Sequence, residues 1–304
     1  MSSGRKGVTR SMHGIRRLQA VALLMAACGG AGASSASPAP PALPERPVVP
    51  LDHLPALRGD YFPLQSRFTG HIHHVYVRLP EGYDTDRAQS YPVVYVLDGD
   101  TLFPILAPTH LFLNYDEQLP EAIVVGIAYG TFDPAANKRN LDFTGQGADT
   151  APGQGGAARF LPFLREQLLP EVERRYRADS SRRVLVGQSR GGYFVLWSAV
   201  QDPDLFWGRI ASNPSPAPAR ELLFAAPAAH RHDDLRVVVA SSARDTTERV
   251  RHAQDWVAAW TQRDAPWAVQ LVVLPEGTHS ASIGEAYRRA MLSLFRDDNV
   301  RTAP

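Results

Sequence analysis

The chain contains 304 residues, of which 44% are hydrophobic and 21% are charged, a composition that excludes a disordered, collagen-like or polytopic membrane protein. Its 32 Lys and Arg residues balance 31 Asp and Glu residues, and the net charge of +1 gives no electrostatic basis for binding nucleic acid. The single cysteine, Cys28, excludes an intramolecular disulfide and a zinc site made of cysteines.

Residues 1–28 have the organisation of an export signal. Basic residues precede an apolar run from Leu18 to Ala27, which is shorter than the ~20 residues of a membrane-spanning helix but suits a signal peptide. The segment Leu24 to Cys28 resembles the lipobox of bacterial lipoproteins, whose cysteine is lipidated, so we expect a lipid anchor on Cys28 in the periplasm or cell envelope. The alternative is cleavage at a small-residue site such as Ala31-Gly32-Ala33, which would give a soluble secreted protein.

Residues 29–55 are rich in Ala, Pro, Ser and Gly, with six prolines between positions 38 and 50. Such a composition cannot bury a core and predicts an extended tether. The tether would lead from the signal to one folded domain, residues 56–304. Contact with a membrane is expected only through a lipid on Cys28.

From residue 56 onward, patterns typical of strands alternate with patterns typical of helices. Runs rich in β-branched residues predict strands at Ile72–Leu79, Tyr91–Leu97, Ala122–Ile127, Arg183–Val186, Leu235–Ala240 and Val269–Leu274. Helical patterns are found at Arg159–Arg177, Tyr193–Val200, Trp256–Thr261 within a longer helix, and Ile283–Phe295. Pro170 is expected to kink or split the first of these helices. The alternation predicts an α/β fold whose mostly parallel sheet is covered by helices on both faces.

A Gly-x-Ser-x-Gly-Gly motif lies between a predicted strand and a predicted helix, at residues 187–192. This context is typical of a nucleophile elbow, a sharp turn that lifts the serine above the sheet edge. Small residues at Gly187 and Gly191 let the neighbouring backbone pass closely. We therefore predict Ser189 as a nucleophile; the alternative is a phosphate-binding or purely structural glycine turn.

A serine nucleophile needs a base and an acid, which follow it in the order acid, then His in this kind of fold. His279 comes directly after the last predicted strand, whereas His230 and His232 precede a strand and His252 is expected on a helix surface. We therefore predict His279 as the base. Asp245 follows the strand Leu235–Ala240 most closely and is the predicted acid. The alternatives are Glu248 as the acid, three residues later in the chain, or a Ser-His dyad oriented by another group.

The negative charge that develops on a reacting carbonyl oxygen needs hydrogen-bond donors. One predicted donor is the backbone N–H of Arg190, directly after the nucleophile, and the other comes from the turn that contains Gly99 and Asp100. The alternative is that Asp98-Gly99-Asp100 is only a tight turn. Its two carboxylates lack a further ligand cluster, so they give little support to a metal site.

His71 and His73 are expected to share one face of a strand, and two histidines could begin a metal site. No third ligand is apparent nearby in the sequence, so solvated strand histidines are the better interpretation.

The chain resembles the esterase D-type family of α/β hydrolases from about residue 70 to residue 295. The resemblance is carried by the elbow and by Val77–Tyr83 (VRLPEGY), Tyr91–Gly99 (YPVVYVLDG), Arg139–Thr144 (RNLDFT) and Phe160–Leu164 (FLPFL). The spacing is most similar to the branch of enterobactin and bacillibactin esterases, which hydrolyse the esters of siderophores. The resemblance implies an α/β-hydrolase fold and a triad of Ser189, Asp245 and His279. Arg190 departs from the family, which commonly has Leu, Phe or Met there, and an arginine facing the cleft would favour an anionic substrate.

These observations predict an exported serine esterase that works through an acyl-enzyme and requires no metal or organic cofactor. The expected partner is a small-molecule ester, with a ferric siderophore ester as one candidate and a cell-wall, plant-polymer or short-chain ester as the other. Two alternatives share the sequence features: an acyltransferase of the same fold, and a binding lipoprotein without turnover. A complete serine, acid and histidine order argues against the binding protein.

Overall fold

Runs of β-branched residues build the centre of the fold in the computed structural model, which describes residues 54–295. The predicted signal, Cys28 and all but the last two residues of the predicted tether lie outside the described residues. Within them, eight strands form one sheet in the order β1-β2-β4-β3-β5-β6-β7-β8. The strands are β1 (Gly59–Gln65), β2 (Ile72–Arg78), β3 (Tyr91–Val96), β4 (Ile123–Ala128), β5 (Ala178–Gln188), β6 (Gly208–Ser212), β7 (Leu235–Ser242) and β8 (Trp267–Leu274).

The sheet is parallel from β4 through β8, and only β2 runs against its neighbours β1 and β4. Gln188 pairs with Ser212 and Ser212 pairs with Ala240, so β5, β6 and β7 end at nearly the same height. Because parallel strands point the same way, the loops that follow them gather at one edge of the sheet. The predicted nucleophile, acid and base all lie in such loops.

Helices cover both faces of the sheet, as predicted. They are α1 (Gly99–Glu117), α2 (Arg139–Asp142), α3 (Ala157–Phe163), α4 (Leu169–Arg175), α5 (Arg190–Gln201), α6 (Thr247–Thr261) and α7 (Ile283–Leu294). One core joins the sheet to α3–α6 through side chains such as Phe160, Phe194 and Trp256. The other joins it to α1 and α7 through Phe103 and Tyr287. None of the helices within residues 54–295 is both long and apolar enough to cross a bilayer.

The helix predicted at Arg159–Arg177 is divided near Pro170 into α3, a π-helical turn and α4. Between α3 and α4 the chain widens into a π-helical turn, Leu164–Leu168, directly before the first turn of α4, which contains Pro170. Proline cannot donate the next helical hydrogen bond and its ring crowds the preceding turn, which explains the irregularity at this point.

A buried polar cluster lies beside α2 and corrects the prediction for the two histidines. His73 is fully buried rather than solvated, and its ring stacks on Phe163 with centroids 4.3 Å apart. Burial lowers the pKa of His73 to about 3. His71 precedes β2 and places its Nε2 3.6 Å from Oδ1 of Asp142. Tyr129 donates a 2.9 Å hydrogen bond from its hydroxyl to Oδ2 of the same carboxyl.

Asp142 should make the stability of the protein depend on pH. Burial raises the pKa of Asp142 to about 7, whereas an unfolded aspartate titrates near ~3.9. Between these values the native state holds a proton that the unfolded state lacks, so the free energy of unfolding falls as the pH rises, by up to about 1.4 kcal/mol per pH unit. Asp142→Asn should remove this loss, and its stability advantage over the parent chain should grow from pH 5 to pH 8.

Urea denaturation at pH 5, 6, 7 and 8 measures this difference. Asp116→Asn is the matched control, because Asp116 is an exposed carboxyl at the end of α1. Parallel pH curves for Asp142→Asn and the parent chain would show that Asp142 titrates normally.

Candidate active site

The chain makes a strained turn at Ser189, between the end of β5 and the start of α5. Ser189 has φ 58° and ψ −115°, a backbone conformation that L residues rarely adopt. A Cβ atom on Gly187 would lie 2.4 Å from the carbonyl oxygen of Gly191, so only glycine fits at position 187. A Cβ atom on Gly192 would lie 3.0 Å from the carbonyl oxygen of Ser212. The glycines of the motif therefore allow the turn that presents the serine.

Three predicted residues meet at the carboxyl edge of the sheet. Oγ of Ser189 lies 2.9 Å from Nε2 of His279, in the loop after β8. Nδ1 of the same imidazole lies 2.5 Å from Oδ2 of Asp245, in the loop after β7. Glu248 is exposed in the first turn of α6 and contacts neither residue. The three side chains thus form a continuous hydrogen-bonded row.

Asp245 is held as a carboxylate by its surroundings. Its side chain is only 3% exposed, and Oδ1 accepts hydrogen bonds from the Thr246 amide at 2.7 Å and from Nη1 of Arg249 at 3.1 Å. Burial raises the pKa of Asp245, but the hydrogen bonds from His279, Thr246 and Arg249 outweigh that effect and hold the pKa below its ordinary value. A carboxylate in this position fixes the orientation of the imidazole and stabilises the imidazolium.

A second row of side chains, which sequence reasoning missed, reaches Ser189 from the other side. Oγ of Ser215 lies 2.9 Å from Oγ of Ser189, and Nε of Arg249 donates to Oγ of Ser215 at 3.3 Å. Because an arginine only donates, Ser215 accepts from Arg249 and its own proton is available to Ser189. The proton of Ser189 then points to Nε2 of His279. This order of donors favours the arrangement in which His279 is ready to accept the serine proton.

The loop that carries His279 is fastened to the ends of three strands. The backbone carbonyl of His279 accepts hydrogen bonds from the side chains of Gln188 and Asn213, the latter at 2.9 Å. Oδ1 of Asn213 accepts from the Ser242 amide at 2.7 Å. Asn213 has a positive φ of 42°, a conformation that Asn tolerates better than most residues. The sequence analysis did not identify Asn213, because the strand that precedes it was not predicted.

The predicted oxyanion donors lie at the start of two helices. Arg190 is the first residue of α5, and Gly99 and Asp100 are the first two of α1, where backbone N–H groups have no acceptor within the helix. The two helix starts adjoin each other, since a Cβ atom on Gly191 would lie 3.3 Å from Oδ2 of Asp98. These positions can supply backbone donors near Ser189.

The carboxylates of the 98–100 turn are engaged by protein groups. Asp98 pairs with Arg139 through two hydrogen bonds of 2.7 and 2.9 Å. Asp100 accepts from the backbone amides of Tyr129 and Gly130, at 2.9 and 2.7 Å, and so ties α1 to the end of β4. Across residues 54–295, the structure brings no three His, Cys, Asp or Glu side chains together in a metal-binding arrangement.

The remaining candidate histidines lie away from Ser189. His230 and His232 are exposed before the start of β7, at the opposite edge of the sheet. His252 lies in α6 but is buried rather than on the surface, and burial lowers its pKa to about 4. Its Nδ1 accepts a 3.4 Å hydrogen bond from Nε of Arg220. The sequence therefore identified its secondary structure correctly and its exposure incorrectly.

The arrangement supports one type of chemistry. A serine whose hydroxyl points to a neutral imidazole can attack a carbonyl carbon, and backbone donors beside it can stabilise the resulting oxyanion. The bond between the carbonyl carbon and its leaving group would then break, and the acyl group would remain bonded to Oγ of the serine as an acyl-enzyme.

Comparisons with known proteins identify the family of the chain. A family model with the description "Putative esterase" matches residues 66–289, and the chain therefore belongs to this esterase family. The ferri-bacillibactin esterase BesA of Bacillus subtilis is 32% identical over 168 residues, which are 50% of this chain and 56% of that protein. The siderophore triacetylfusarinine C esterase of Aspergillus fumigatus is 28% identical over 195 residues, which are 60% of each chain. The chain spans about half the length of the curated relatives it matches.

The fold also recurs among solved structures. An IroE-like serine hydrolase from Shewanella oneidensis has a TM-score of 0.67 and 24% sequence identity, over 78% of this chain and 80% of that one. This likeness confirms the predicted α/β-hydrolase fold.

Covalent labelling should distinguish the two adjacent serines. An alkyl fluorophosphonate should modify Ser189 alone, because Ser189 is the hydroxyl that contacts His279. Ser189→Ala should not be labelled. Ser215→Ala should still be labelled at Ser189, about fivefold more slowly, as expected for the loss of one hydrogen bond worth ~1 kcal/mol.

Mass spectrometry of the digested, labelled protein locates the adduct. An adduct on Ser215, or one that persists in Ser189→Ala, would contradict the assignment. Circular dichroism of both variants checks that they remain folded.

Proposed function

We propose that this member of the esterase family hydrolyses carboxylic esters, with Ser189 as nucleophile, His279 as general base and acid, and Asp245 as the acid that orients the imidazole. The observation that carries the proposal is the 2.9 Å contact between Oγ of Ser189 and Nε2 of His279, continued by the 2.5 Å contact to Asp245. A serine is a weak nucleophile without such a base.

In the first half of the reaction, Ser189 attacks the ester carbonyl while Nε2 of His279 takes the serine proton. Asp245 stabilises the imidazolium that forms. The backbone N–H of Arg190 and those of the Gly99–Asp100 turn donate to the oxyanion. The tetrahedral intermediate collapses, the bond to the alcohol oxygen breaks, and the imidazolium gives its proton to the departing alcohol.

In the second half, water attacks the acyl-enzyme. His279 takes a proton from the water and returns it to Oγ of Ser189 as the acid product leaves. The hydrogen bond available from Ser215 stabilises Oγ of Ser189 while it carries negative character. The reaction as written consumes one ester and one water, and the protein's own side chains carry each proton.

We propose siderophore esters as the substrates to test first. The support is the similarity to two relatives named for siderophore esters, the ferri-bacillibactin esterase and the triacetylfusarinine C esterase. Export through residues 1–28 and a lipid on Cys28 belong to the same proposal and are supported by the sequence pattern. Mass spectrometry of the mature N-terminus distinguishes a lipidated Cys28 from cleavage near Ala33.

Ser189→Ala should abolish turnover of esters. With the purified full-length chain, we expect hydrolysis of 4-nitrophenyl acetate and of ferric siderophores with ester-linked backbones, and a loss of at least about 10³-fold in kcat/KM in the variant. Chromatography of the siderophore products identifies which bonds are cut, and adding an alcohol tests whether the acyl group goes to an acceptor other than water. Equal rates for parent and variant would refute the proposed nucleophile.

Removing the charge of Asp245 should impair catalysis, and removing that of Glu248 should not. Asp245→Asn should lower kcat by about 10²–10⁴-fold, because the amide favours the wrong imidazole tautomer. Glu248→Gln is the matched control, since Glu248 is exposed three residues away, and it should retain at least about half of the activity. A larger loss in Glu248→Gln than in Asp245→Asn would reverse the assignment of the acid.

A further inference from the structure

Arg190 places a cation without a counter-ion beside the nucleophile. It directly follows Ser189, its side chain is half-buried, and within residues 54–295 no carboxylate lies within ion-pair distance of its guanidinium. One hydrogen bond is made by the guanidinium, from Nη1 to Oδ1 of Asn140 at 3.0 Å. A guanidinium has more N–H donors than that single acceptor satisfies.

The other arginines around the site differ in this respect. Arg139 makes a two-pronged ion pair with Asp98, and Arg249 is bonded to Asp245. The guanidinium charge of each of these two arginines is therefore balanced by a neighbouring carboxylate. Burial, and to a smaller extent the charge of Arg139, lower the pKa of Arg190, which reflects the cost of holding a cation here without a partner.

We propose that Arg190 binds an anionic oxygen group of the substrate, so that the protein prefers esters that carry a carboxylate or a comparable two-oxygen anion close to the reacting bond. This inference rests on the proposed function and specifies its substrate class. The backbone N–H of Arg190 is a proposed oxyanion donor, so an anion on the guanidinium would lie within one side-chain length of the reacting carbonyl. The planar fork of a guanidinium matches two oxygens at once, and burial strengthens the attraction.

A purely structural role for Arg190 makes a different prediction. If the side chain only ties α5 to α2 through Asn140, its replacement would change the turnover of all esters alike. If it binds an anion, replacement would lower kcat/KM for anionic esters more than for neutral esters of the same shape. The ratio between matched anionic and neutral esters therefore separates the two roles.

The experiment measures kcat/KM of the full-length chain on two matched pairs of esters. In the first pair the charge is in the acyl half. The anionic ester is the 4-nitrophenyl monoester of pentanedioic acid, and the neutral ester is the same compound with its free carboxyl group methylated. In the second pair the charge is in the alcohol half: 4-acetoxybenzoate and methyl 4-acetoxybenzoate. Arg190→Met should lower the ratio of anionic to neutral kcat/KM by about tenfold or more in at least one pair, the usual effect of losing a charged hydrogen bond.

Two further variants control the result. Arg190→Lys keeps the charge without the fork and should restore part of the ratio. Arg251→Met removes the same charge from an exposed position on α6 and should leave the ratio within about twofold of the parent chain. Unchanged ratios in Arg190→Met for both pairs would overturn the inference while leaving the esterase proposal intact. No turnover of any of the four esters would instead count against the esterase proposal, and the inference would fall with it.

Discussion

The backbone of Ser189 is the constraint on which the site depends. A positive φ at a non-glycine residue in this conformation costs roughly 1–3 kcal/mol and persists only where the surroundings enforce it. Two backbone hydrogen bonds do so: the Ser189 amide donates to the carbonyl of Ser212 at 2.9 Å, and the Ser215 amide donates to the carbonyl of Ser189 at 3.0 Å. Both partners lie at or just beyond the end of β6, so the neighbouring strand holds the turn open.

The same short segment after β6 performs the other tasks of the site. Asn213 fastens the loop of His279, and Ser215 places its hydroxyl against that of Ser189. The elbow, the base loop and the hydrogen-bonding row are therefore not independent features. The segment is buried among the strand ends, and a shift of residues 212–215 would both relax the turn at Ser189 and displace the imidazole.

The sequence predicts those features of the fold that are specified by residues close together in the chain. The elbow combines a strand, a glycine motif and a helix within about a dozen positions, and the buried β-branched runs mark their strands directly. The helix α1 was missed because Pro104 and Pro108 lie inside it and because apolar residues such as Ile105 and Phe112 also occupy its exposed face. The strand β6 was missed because it is short and contains Arg209, whose fully buried guanidinium is satisfied by backbone carbonyls, with its pKa lowered to about 9 by burial. Ser215 and Arg249 were missed because their contacts join residues 26 and 34 positions apart, for which the sequence has no local signal.

The distribution of charge around the site follows from these contacts. Asp98 with Arg139 and Asp245 with Arg249 form pairs that largely cancel at a distance. The positive ends of α1 and α5 adjoin each other at Gly99 and Arg190, and the Arg190 guanidinium adds a full charge that has no carboxylate partner among the described residues. The carboxylate of Asp100, in the first turn of α1, accepts from the amides of Tyr129 and Gly130 rather than from a cation. In the mechanism proposed above, the backbone donors at these two helix starts favour an oxyanion over a neutral ester, which is the difference that accelerates a reaction.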